Sequence, residues 1–145
     1  MVSQIQVHEY MAEINLIVQL ALLGLLILGV LLKKKRNYMW HGNIMLLVVI
    51  VNGLLMVSHM IPTFIGVVLE EVYTFNLVSS LGLVHGIIGA VGEFWGIWLA
   101  GGWAFEGSKI GDCTKKRKAM FRVLVIWLVA LILGVVYYPL HLWLG

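Results

Sequence analysis

Residues 40–62 read WHGNIMLLVVIVNGLLMVSHMIP. The stretch is long and apolar enough to cross a bilayer as one helix, which takes about 20 residues. Within it His41, Met45, Asn52, Met56 and His59 recur at steps of four, seven, four and three. Those steps return to one face of a helix with about 3.6 residues per turn. Hydrocarbon cannot satisfy polar groups, so this face is expected to look onto other protein or a cavity.

Working outward, three further segments have the same apolar character, at about residues 12–32, 76–105 and 119–144. The chain has 145 residues, of which 61% are hydrophobic and 12% charged. A soluble domain has about a quarter of its residues charged, so an all-α membrane protein with a single domain over 1–145 is expected. Most of the net charge of +3 comes from two clusters, KKKR at 33–36 and KKRK at 115–118. Short basic loops between apolar spans set topology, and the positive-inside rule puts both on the cytoplasmic side. The same reading argues against a nucleic-acid partner. The N-terminus, the C-terminus and the loop at 63–75, which carries Glu70 and Glu71 but no Lys or Arg, then lie outside. Short connections predict an up-down-up-down four-transmembrane-helix bundle, N-out and C-out, multi-pass in the cell membrane.

Cys113 is the single cysteine. It excludes an intrachain disulfide and a Cys-x-x-Cys-His haem-attachment site. The opening residues MVSQIQVHEYMAEIN lack the basic start of a secretory signal, so no cleavable signal peptide is expected. There is no P-loop, nucleotide fingerprint, HExxH or GxSxG motif, and nothing marks the chain as an enzyme.

Helical rise assigns each polar residue a depth. Counted from the inner boundary, Asn52 and Glu93 fall about 17 Å up, with Gln19 slightly higher. His59 and His85 fall about 27 to 29 Å up, with His141 about 3 Å beyond and Asn15 in the same outer layer. His41 stands alone at the inner boundary. A mid-membrane pair, Asn52 with Glu93, and an outer trio of histidines are therefore expected.

A buried carboxyl needs a partner or a proton. Protonated, Glu93 can hydrogen-bond Asn52. Such a bond registers the second and third helices, or it serves a proton relay or quinone contact. Histidines from several helices of a bundle can hold a metal or haem. His59, His85 and His141 would suit zinc or copper, with Met56 and Met60 as soft ligands favouring copper(I). Haem b between His59 and His141 is the alternative, and plain amphipathic anchoring at the headgroups is the structural one. Gly82, Gly89, Gly92 and Gly96 recur with His85 along the third segment. They allow close helix packing, or leave room for a flat cofactor. Trp95, Trp98 and Trp103 read as interface anchors. His41 reads as an interfacial anchor with no evident partner, or with Met45 as a ligand for haem on the cytoplasmic side.

The second segment opens His41-x-x-x-Met45 and closes on Val57-Ser58-His59. The third carries Leu83-Val84-His85, and the fourth Arg122, Ile126-Trp127 and Gly134-Val135-Val136-Tyr137. In this order and spacing, over about residues 33–140, they resemble the four-helix integral membrane family DUF-420 (YozB/CtaM-like). The resemblance implies an accessory or maturation factor for a haem-copper respiratory oxidase, with oxidase subunits as partners. It also implies His41, His59 and His85 as the family-type histidines, and haem or copper as cargo. Gly42-Asn43 follows the first histidine where the family tends to be arginine-rich, and His141 has no counterpart in the pattern. Two other functions fit the residues alone. One is a small b-type membrane cytochrome exchanging electrons with quinone. The other is a non-catalytic structural subunit of a larger membrane metalloenzyme complex.

Overall fold

A computed structural model describes residues 4–68, 77–105 and 115–144. Helix α1 is Gln4–Lys34, α2 is Tyr38–Leu55, α3 is Leu77–Phe105 and α4 is Arg117–Leu144. No strand occurs among the described residues. Among the described residues four spans are long and apolar enough to cross a membrane: Glu13–Lys34, Tyr38–Gly66, Leu77–Phe105 and Arg117–Leu140.

The turn between α1 and α2 is set by backbone hydrogen bonding at a helix end. Asn37 N–H donates to the Leu32 carbonyl and Arg36 N–H to that of Lys33, both at 3.0 Å. Arg36 sits at φ 59°, so the pair closes the helix in the manner of a Schellman motif. The left-handed conformation costs a non-glycine residue about 1–2 kcal/mol. Asn37 then starts α2, its side-chain oxygen accepting from Trp40 N–H at 3.4 Å.

The second span does not stop at Pro62. It widens into a π-turn at Met56–Met60, makes one α-turn at Ile61–Thr63 and widens again at Phe64–Val68. Residues 63–68, expected in the outer loop, are therefore helical. Proline has no N–H, and its ring clashes with the carbonyl four residues back. A widened turn just before Pro62 eases that clash, and Ile61 N–H bonds the Met56 carbonyl, five residues back. His59 lies inside this π-turn. Glu70 and Glu71 fall outside the described residues, as does Cys113.

Helix α3 packs closely on α2 and α4, and α1 packs on α2, while α1 and α4 scarcely touch. On α2 the polar face turns inward: His41, Gly42, Val48 and Val49 are buried. Met39, Leu47, Ile50, Leu54 and Val57, on the other side, are exposed as lipid-facing residues would be. The buried apolar cluster is small, built on Leu22, Leu26 and Val48.

Much of the remaining packing sets large side chains against glycines. A Cβ on Gly42 would strike the Trp103 indole, and one on Gly29 would strike the Met45 methyl. A Cβ on Gly92 would lie 2.6 Å from Trp127, and one on Gly86 would lie 2.6 Å from Phe64. The glycines of the third segment thus admit side chains from neighbouring helices as much as close backbone approach.

Candidate functional site

Two polar features lie inside the bundle, and a third lies between α3 and α4. The first is at mid-span. Gln19 Nε2 donates to Asn52 Oδ1 at 2.7 Å, and Asn52 Nδ2 donates to Glu93 Oε2 at 2.7 Å. One asparagine thereby ties α1, α2 and α3 together. Glu93 is 0% exposed, and its Oε1 has no hydrogen-bond partner among the described residues. Oε1 would lie 3.1 Å from a Cβ on Gly53, so a glycine there gives the carboxyl its room. Gln19, assigned a similar depth from sequence but no role, is the third member of this ladder. Asn15 Oδ1 is also buried without a partner among the described residues.

The second feature is a cavity of about 550 Å³ at the end of the bundle that carries the basic clusters. All four helices line it. His41, Gly42 and Met45 of α2 and Gly96, Ala100 and Trp103 of α3 are among its lining residues. Leu26 and Val30 of α1 and Leu124 and Trp127 of α4 complete its apolar walls. Lys33, Lys34 and Arg117 stand at the basic end, and no Asp or Glu lines it among the described residues. Ligand pockets are commonly of this kind, 300–1,000 Å³, mostly apolar with a few placed polar groups.

His41 is 5% exposed, and its Nδ1 lies 2.8 Å from the Gly29 carbonyl. It is therefore a buried residue with a partner on α1, not an interfacial anchor without one. A carbonyl only accepts, so Nδ1 carries the hydrogen and Nε2 is left as the acceptor nitrogen. Ligating histidines have this arrangement, in which the second nitrogen is fixed by a backbone or carboxylate acceptor. Trp103, expected as an interface anchor, is instead 8% exposed and packs on Gly42 beside His41. Trp98, at 76% exposed, does face outward. A glycine directly after His41 was the sequence signal for a large partner at that level.

The third feature is His85. Its Nδ1 lies 2.9 Å from the Ala130 carbonyl of α4, and a Cβ on Gly134 would lie 2.9 Å from its Cε1. The same tautomer follows. Gly134 lies seven residues before His141 in α4, about 10 Å of helical rise. His141 is on α4, but its side chain falls outside the described residues. His59 and Met56 are half-buried in the π-turn. No group of three His, Cys, Asp or Glu side chains able to hold a metal forms among the described residues, which do not include the His141 side chain. Comparison of the chain with protein-family models, curated proteins and solved structures finds no match.

Proposed function

We propose that this chain is an integral membrane accessory or maturation factor for a haem-copper respiratory oxidase, and that its cargo is haem held in the cavity beside His41. One observation carries the reading. The cavity joins a histidine of fixed tautomer to three cations, in an apolar chamber of cofactor size. Haem has an apolar ring and two carboxylates, and its iron is commonly held by imidazole. His41 Nε2 is the candidate ligand, and Lys33, Lys34 and Arg117 are the candidate partners of the carboxylates. Copper is the less supported cargo, because a chamber of this size and charge suits a large anion. The DUF-420 resemblance supplies the oxidase as partner.

The contacts between helices support the antiparallel topology that this reading assumes. Positions 19, 29 and 41–52 meet in descending order, as do 42–64 with 86–103 and 85–96 with 127–134. We take the basic ends as cytoplasmic, with both termini outside and the chain in the cell membrane.

The test is an optical spectrum with metal analysis of protein extracted in mild detergent, followed by haem titration. A Soret band that is lost in His41→Ala supports the reading. A featureless spectrum, no metal and no haem uptake would overturn it. The same outcome would favour a structural subunit of a larger complex.

A second reading is a small b-type cytochrome. It is favoured by His85, whose Nδ1 is anchored to a carbonyl as that of His41 is. Reduced-minus-oxidised haem bands that disappear in His85→Ala but persist in His41→Ala would select it.

A further inference from the structure

We propose that the cavity is loaded from within the bilayer, through the seam between α1 and α4, by an amphiphile with an anionic head. The inference rests on the reading above only in taking this cavity as the working site. It adds the route of entry and widens the occupant from haem to anionic amphiphiles as a class.

The seam comes first. Helices α1–α2, α2–α3 and α3–α4 are closely packed, whereas the backbones of α1 and α4 rarely approach, and Leu124 and Trp127 of α4 reach the buried cluster of Leu22, Leu26 and Val48 through their side chains. The cavity walls come from both sides of this loose seam, with Leu26 and Val30 on α1 and Met120 and Leu124 on α4. At the basic end the contact across it is weak, from Lys33 Nζ to Met120 Sδ at 3.9 Å. Sulfur is a weak acceptor, so parting this contact costs little. The other seams are held by His41 on Gly29, Asn52 on Glu93, and His85 on Ala130. The bundle therefore opens most cheaply between α1 and α4, toward the lipid.

Charge and polarity supply the occupant. Lys33, Lys34 and Arg117 are gathered at one end of the chamber without a carboxylate among the described lining residues. The opposite end is Val49, Gly96 and Trp127. An anionic head would sit at the cations while an apolar body fills the rest. A molecule polar along its whole length would lose water against the apolar walls without recovering hydrogen bonds. A neutral hydrocarbon would make no use of the cations, of which Lys34 and Arg117 are exposed and Lys33 is half-buried.

The experiment uses the full chain in nanodiscs. Val30→Cys and Met120→Cys are introduced with Cys113→Ser and joined by a reducible bismaleimide. Four probes are used: haem, haem dimethyl ester, cis-parinaric acid and its methyl ester. Crosslinking before addition is expected to slow uptake of the acids by about ten-fold or more, since binding then waits on a blocked conformational step. Reduction restores the rate, and protein loaded before crosslinking keeps its ligand. Independently, Lys34→Gln with Arg117→Gln is expected to weaken the acids by about ten-fold, the loss of charge-assisted bonds. Ester binding stays unchanged. Uptake indifferent to the crosslink overturns the portal, and esters binding the native chain as tightly as acids overturn the anionic head. Parinaric acid bound and haem refused would sink the haem reading while the inference stands. Haem taken up at an unchanged rate through a crosslinked seam would do the opposite. No binding of any probe overturns both.

Discussion

Asn52 Nδ2 lies 2.7 Å from Glu93 Oε2, while Asn52 Oδ1 accepts the Gln19 amide at the same distance. Both ends of one amide are spent on two other helices. Asn52→Leu removes both bonds and leaves neither oxygen of a buried carboxyl paired, at a cost of about 1–3 kcal/mol. Gln19→Leu removes only the outer bond and is expected to cost about 0.6 kcal/mol, the average for interhelical hydrogen bonds in membranes. Unfolding by SDS titration in mixed micelles measures both. Equal losses from the two substitutions would break the idea of a ladder centred on Asn52.

Gly42 and Gly24 differ in what surrounds them. A Cβ on Gly42 meets the Trp103 ring, whereas nothing lies within 4 Å of one on Gly24. Gly42→Ala must displace a buried indole and is expected to destabilise by about 1–3 kcal/mol. Gly24→Ala adds a methyl in open space and removes a poor helix former, so it is neutral or stabilising by up to about 1 kcal/mol. Thermal unfolding in detergent separates them, and a harmless Gly42→Ala would show that Trp103 does not need that notch.

His85 depends on Gly134 in the same way. A methyl at Gly134 would come within 2.9 Å of the ring, which is held by the Ala130 carbonyl. Gly134→Ala is expected to break the Nδ1–H bond and free the tautomer. Nitrogen-15 NMR of ring-labelled protein reads this directly: a single Nδ1–H form in the native chain and a mixture in the variant. An unchanged spectrum would mean that the ring is not seated on Gly134.

Haem binding distinguishes the inner site from the outer one. The cavity takes α4 residues up to Trp127, and His141 lies 14 residues further on, about 20 Å of helical rise. His41→Ala is expected to weaken haem binding by about ten-fold or more, and His141→Ala to leave it unchanged. The reverse pattern in a spectrophotometric titration would move the site to the outer histidines.

The mid-span ladder was legible in the sequence because helical rise is nearly constant, so residues in separate spans could be assigned a common depth. Gln19 was placed close to that depth and still missed as a partner, since depth alone does not say which way a helix is turned. The bond from His41 was not legible at all. Its partner is the carbonyl of Gly29, a group every residue has, and side-chain patterns cannot mark it. Trp98 and Trp103 are equally aromatic and near the same end, yet one is exposed and the other covers a glycine. Pro62 reads as an end to the span when only its missing N–H is counted. Two widened turns carry the helix past it.

By itself the sequence determined that four segments are helices able to cross a membrane, and that one face of the second must be shielded. Both follow from local properties: an apolar run of sufficient length, and a period of about 3.6 residues that puts polar groups on one side. Tertiary structure alone decided which rings enter which glycines, and that His41 lines a cavity with Lys33, Lys34 and Arg117 at one end. Between helices in a membrane there is no hydrophobic drive to fix rotation and register. Packing of small against large residues and a few hydrogen bonds decide them.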